Sequence, residues 1–165
     1  MKIRKAIMAD AAKIAYVHVE SWKSTYKGII PDAYIQKQTY ERRTNLWNDN
    51  LRNQTVFIAE DHAGNIVGFA VGGQERTNDY PGYQGELYAI YLLKNYQGIG
   101  IGRRLFRSVT QQLRRDGFRS MLVLVLADNN ARYFYETMGA KRIDAKEIMI
   151  AEKKLTEYVY GWHQL

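Results

Sequence analysis

The chain has 165 residues, 24 Lys and Arg against 17 Asp and Glu for a formal charge of +7, and no cysteine. That length suits one domain with a substantial core, and the missing cysteines exclude disulfides, thiolate nucleophiles and thiolate zinc sites. The positive balance favours anionic partners: nucleic acids, phosphorylated cofactors or acidic surfaces.

No run of about 18 apolar residues occurs, and the opening MKIRKAIMADAAKI lacks the apolar stretch of a secretory signal, so a soluble cytoplasmic protein is expected. KIRKAI alternates and predicts a short strand. DAAKIAYVHVESWKSTY follows with Ala11, Ile14, Ala15, His18 and Trp22 at helical spacing and Asp10 as its cap. After the break KGIIPD, a second helix is predicted from Asp32 to Arg52, rich in charge and carrying Trp47. TVFIAEDHAGNIVGFAVGGQE reads as an antiparallel hairpin turning at DHAGN. RTNDYPGYQ is a polar loop, and GELYAIYLL is the next strand.

A helix from Gly100 to Asp116 then buries Leu105, Phe106, Val109 and Leu113, while Arg103, Arg104, Arg107 and Arg114 avoid that face. SMLVLVLA suits a strand covered on both faces. DNNARYFYETMG predicts a capped helix closed by Gly139, and the tail supplies two more strands. The order β-α-α-β-β-β-α-β-α-β-β is a mixed α/β arrangement.

Between GELYAIYLL and the helix lie Gly98, Gly100 and Gly102, a costly density of glycine unless something approaches the backbone. A strand, a glycine loop and a helix N-terminus in that order hold a pyrophosphate on orphan amides. The dinucleotide fingerprint fails, because Arg103 stands at its third glycine. The triphosphate loop fails too, for no Lys followed by Ser or Thr comes next. His18, His62 and His163 form no metal-ligand spacing, and no serine sits in a G-x-S-x-G setting, so neither a metal site nor a serine hydrolase is expected.

What remains, Gln97-x-x-Gly100-x-Gly102, resembles the acetyl-coenzyme A loop [RQ]-x-x-G-x-[GA] of the GCN5-related N-acetyltransferase (GNAT) superfamily. A second segment, with Asn129, Ala131, Phe134, Tyr135 and Gly139, is similar to that family's second conserved helix, and SWKSTYKGIIP is similar to the first helix and loop of some members. Ala140 departs from the aromatic that many members carry after the glycine. The resemblance spans essentially the whole chain, residues 1–165, as one domain with a central twisted mixed sheet flanked by helices.

The resemblance implies direct attack of an amine on the bound thioester of acetyl-coenzyme A, with no metal and no covalent enzyme intermediate. By it, the main chain of Tyr91, Leu92 and Leu93 pairs with the pantetheine arm. The amides of Gln97, Gly98, Ile99, Gly100, Ile101, Gly102 and Arg103 bind the pyrophosphate, and Arg103 or Arg104 adds charge. Tyr135 is the implied general acid, because a phenol is neutral at pH 7 and can donate. Asn129 is either a cofactor contact or an ordinary N-cap. Glu86 is the implied base or a substrate-orienting group. Trp22, Tyr26, Tyr34 and Trp47 lie in the region that forms one acceptor wall, and RTNDYPGYQ forms part of the other.

The expected partners are acetyl-coenzyme A and an amine; members often dimerise, so a homodimer is allowed, whereas a membrane or nucleic acid is not expected. A basic nucleic-acid-binding protein is the competing reading, drawn from the charge and the aromatics, and it leaves both motifs unexplained. A member that binds coenzyme A without activity is a third.

Overall fold

A computed structural model describes residues 1–165. Seven strands form one sheet in the order β1-β2-β3-β4-β5-β7-β6. They are β1 (Lys2–Lys5), β2 (Val56–Glu60), β3 (Ile66–Gln74), β4 (Gly85–Leu92), β5 (Met121–Leu126), β6 (Lys141–Ile150) and β7 (Lys153–Trp162). Every pairing is antiparallel except β4 with β5. The helices are α1 (Ala11–Tyr26), α2 (Asp32–Gln36), α3 (Tyr40–Asn53), α4 (Ile101–Arg115) and α5 (Ala131–Thr137).

The period-two alternation of the strands sorts side chains to two faces. On one face Val67, Ala70, Leu87, Met121, Val123 and Val125 pack against Leu105, Phe106, Val109 and Leu113 of α4. On the other, Ile58, Phe69 and Val71 pack against Ile14, Ala15 and Val17 of α1 and Trp47 of α3. β5 is apolar throughout because both of its faces are covered: its even-numbered residues Leu122 and Leu126 meet smaller clusters on the acceptor side.

Two local expectations are corrected. The helix predicted from Asp32 to Arg52 is two helices, because the Thr39 hydroxyl accepts from the Arg42 N–H at 3.2 Å and starts α3 afresh. Asp10 does not cap α1. Its carboxylate accepts instead from the Arg4 guanidinium at 2.7 Å and from the Ile7 N–H at 2.9 Å, and Arg4 also reaches Glu60 at 2.8 Å, tying the first strand to the second.

Candidate active site

β4 and β5 share only two residue pairs, Gly85 with Met121 and Glu86 with Leu122. Beyond them the strands part and leave a wedge. A bulge helps: Val71 faces Ala89 and Gly72 faces Leu87, so Tyr88 is an extra residue that bends β4. The Leu93 N–H is spent on the Val67 carbonyl of β3. Antiparallel alternation therefore turns the main chain of Tyr91 and Leu93 toward β3, and that of Ile90 and Leu92 toward the wedge. The Leu92 carbonyl accepts the Gln97 side-chain amide at 3.2 Å.

At the mouth of the wedge, Gly98 and Gly100 take φ of 76° and 86°, the left-handed region that a Cβ disfavours. Gly100 is the N-cap of α4 and offers no side chain, and the first helical bond there runs from Arg104 N–H to the Gly100 carbonyl at 3.3 Å. The amides of Ile101, Gly102 and Arg103 thus lack helical partners and form an electropositive end. Gln97, Ile99, Arg103 and Arg104 are exposed around it.

Tyr135 stands on α5, across the wedge from β4, and is buried, whereas Tyr133 is half exposed and turned outward. Burial, and then the Tyr91 hydroxyl nearby, push the Tyr135 phenol well above its usual pKa and keep it protonated. The Asn129 carboxamide oxygen accepts from the Ala131 N–H at 2.9 Å, an Asx turn that leads into α5, whose N-cap position is Asn130. Glu86 is only 1% exposed and lies where the two strands part. Its oxygens accept from Arg76 Nη2 at 2.7 Å, Nε at 3.1 Å and the backbone N–H at 3.2 Å, and the Arg76 guanidinium lies 4.1 Å from the centre of the Tyr88 ring.

Trp22 and Tyr26 of α1 meet edge to face at 4.7 Å, Trp22 and Tyr34 at 6.3 Å, and the Tyr26 hydroxyl bonds the Tyr91 hydroxyl at 2.8 Å. These three expected acceptor-wall residues are therefore joined to the wedge. Trp47 is not on the wall: it is 2% exposed, sits in the core and donates to His18 Nδ1 at 3.1 Å.

Two charged residues escaped the sequence reading. Arg43 of α3 lies over the Trp22 ring at 5.0 Å. Its position four residues before buried Trp47, on the inward stripe of α3, was the available signal. Glu157 of β7 is half-buried, with Lys146 at 3.7 Å, and burial raises its carboxyl above the usual range. The inward phase of the β7 alternation, Leu155-Glu157-Val159, marked it. A cavity of about 610 Å³ lies away from all of these, at the C-terminal end of α4 between Arg114, Arg119 and His163.

The sequence model of the Acetyltransferase (GNAT) family matches residues 20–140. An uncharacterized N-acetyltransferase of Bacillus subtilis, YuaI, is 38% identical over 163 residues, 99% of this chain and 93% of that one. A spermidine N(1)-acetyltransferase of Thermoplasma acidophilum is 27% identical over 93% of this chain and 97% of its own. Among solved structures, PaiA N-acetyltransferase of Thermoplasma acidophilum in complex with coenzyme A superposes with a TM-score of 0.74 at 23% identity, over 97% of this chain and 96% of that one. The yncA protein of Salmonella typhimurium with its cofactor acetyl-coenzyme A superposes equally well, with a TM-score of 0.74 at 20% identity, over 98% of this chain and 92% of that one. No helix is long and apolar enough to cross a membrane. With the family model covering most of its length and a relative aligned nearly end to end, the chain belongs to the GNAT family of acetyltransferases.

Proposed function

We propose that residues 1–165 form a single acetyl-coenzyme A-dependent N-acetyltransferase domain, which passes the acetyl group directly to a primary amine in a ternary complex. The observation that carries this reading is the wedge between β4 and β5, closed at Glu86 and open toward a loop of unpaired amides. The coenzyme A and acetyl-coenzyme A bound by the two solved relatives support the choice of cosubstrate.

In this reading the main chain of Leu92, flanked by Tyr91 and Leu93, takes the pantetheine arm as an added strand once the Gln97 amide swings off the Leu92 carbonyl. The amides from Gly98 through Ile99, Gly100, Ile101 and Gly102 to Arg103 take the pyrophosphate, that of Gln97 joining once it leaves the Lys94 carbonyl at 3.3 Å, with Arg103 and Arg104 adding charge. The neutral amine attacks the thioester carbonyl carbon, the C–S bond breaks, and the departing thiolate takes the Tyr135 proton. The proton shed by the amine passes through water to Glu86, and the exposed Arg76 side chain turns aside to free that carboxylate. Asn129 holds the start of α5, so that Tyr135 faces the sulfur. Trp22, Tyr26 and Tyr34 wall the acceptor, and positioning supplies much of the rate.

The test is thermal unfolding and calorimetry with acetyl-coenzyme A, followed by thiol release over a panel of amines. Saturating ligand raises Tm by about 5–10 °C for a chain of this size. Millimolar acetyl-coenzyme A that neither shifts Tm nor gives heat, alongside salt-sensitive DNA binding, would sink the reading. Because the Thermoplasma relative is named for spermidine, polyamines form one arm of the panel.

A further inference from the structure

Four buried side-chain polar atoms find no partner, and three of them belong to Ser21, Trp22 and Arg43 on the acceptor side. The Trp22 indole N–H turns toward the Tyr91 hydroxyl but stops short of bonding geometry. Arg43 is the more telling case. Arg4 and Arg76, the latter above Glu86, each have a carboxylate within 3 Å, and partly buried Arg132 donates to the Tyr133 hydroxyl at 2.7 Å. Arg43 joins no ion pair. Burial lowers its pKa, and the hydroxyls of Tyr91, Tyr34 and Tyr26 offset only part of that.

Burying a guanidinium without a counter-charge is unfavourable, and stacking on an indole returns only part of the loss. Arg43 is linked to the wedge by a run of rings. It lies 5.0 Å from the Trp22 ring, Trp22 meets Tyr26 at 4.7 Å, and the Tyr26 hydroxyl bonds that of Tyr91 at 2.8 Å. A planar, unpaired fork of donors on the acceptor side of the wedge matches a carboxylate in shape and charge. It repels a polycation.

We propose that Arg43 binds the acceptor's carboxylate, so that the substrate class is small amines of the amino-acid type. This rests on the N-acetyltransferase reading of the same wedge. Arg43 supplies the missing pair for the carboxylate, Trp22 and Tyr34 cover the acceptor's body, and the amine is left toward Tyr91 and the thioester.

The experiment measures thiol release from acetyl-coenzyme A with free amino acids, each beside its methyl ester and its decarboxylated amine, and with spermidine. The free acids are expected to be the better acceptors by at least about tenfold in kcat/KM, and Arg43→Gln to raise their KM by about 10- to 100-fold. The KM for acetyl-coenzyme A stays unchanged in that variant, methyl esters lose far less than the free acids, and Arg43→Lys restores part of the loss. Removal of an unpaired buried charge keeps or raises Tm, whereas a merely structural arginine would lower it. The assignment is overturned if wild-type protein uses esters, decarboxylated amines or spermidine as well as the acids, or if Arg43→Gln slows every acceptor alike. Calorimetry separates the two levels: absent acetyl-coenzyme A binding strikes the proposed function and this inference with it, while intact binding without a carboxylate preference strikes Arg43 alone.

Discussion

Tyr133 and Tyr135 lie two positions apart on one short helix, and the fold gives them opposite fates: an exposed ring beside Arg132 and a buried phenol facing the wedge. Tyr135→Phe keeps the ring that packs on Phe134 and Trp162, so the fold survives and only the proton is lost. A kcat reduced by about 10²- to 10⁴-fold with acetyl-coenzyme A affinity retained is expected, and Glu86→Gln is expected to act through kcat in the same way. Unchanged kcat in Tyr135→Phe would remove it from the chemistry. The spacing to Gly139 favoured Tyr135 over Tyr133, and the structure buries Tyr135 while leaving Tyr133 exposed. Arg43 and Glu157 were legible only as charges on an inward phase; what distinguishes each from a solvated charge is who packs against it from other elements. Asp10 teaches the same lesson, for its partner Arg4 lies on a strand six residues back and outcompetes the helix end.

At the level of elements, the three glycines of the loop have different reasons for being there. Gly98 and Gly100 have open space around an added Cβ but positive φ, so the backbone itself demands them. Gly102 has neither: a Cβ there meets Leu92 at 3.4 Å and Phe134 at 3.5 Å, ordinary contacts. Gly100→Ala is therefore expected to strain the loop by about 1–2 kcal/mol and weaken acetyl-coenzyme A about tenfold. Gly102→Ala should leave Tm unchanged and affinity within about threefold of wild type, as a [GA] pattern at this place allows. Calorimetry on both variants decides, and equal losses would contradict the distinction. Most elements were legible because hydrophobic period is a local property. The split between α2 and α3 was hidden by uniform charge, although Thr39 already carried the capping chemistry.

Across the whole molecule, His18 couples acceptor wall and core. Its ring stacks on Tyr91 at 5.4 Å, accepts from Trp47, and is held neutral: burial, and then the Arg43 charge, press its pKa down to about 3. The unfolded chain takes up this proton near pH 6.5, which the native protein refuses. Stability from His18 is thus complete above about pH 6.5 and is lost as pH falls toward 3, with a slope of up to about 1.4 kcal/mol per pH unit. Urea unfolding at pH 7, 6 and 5 should show this slope in wild type and a shallower one in His18→Gln, which retains an acceptor for Trp47. Identical slopes would assign the pH dependence to other groups.

The seam at Gly85–Met121 and Glu86–Leu122 has a mechanical consequence. It makes the sheet two plates, β1 to β4 and β5 with β7 and β6, riveted at one corner. Elsewhere along that edge no ladder resists a change in the angle between them. In the proposed reaction a ligand's arm in the gap would give both plates a strut, so that the molecule about to be consumed would set the angle between Glu86 and Tyr135. By the same reading each departure of spent coenzyme would slacken the joint that the next arrival must tighten.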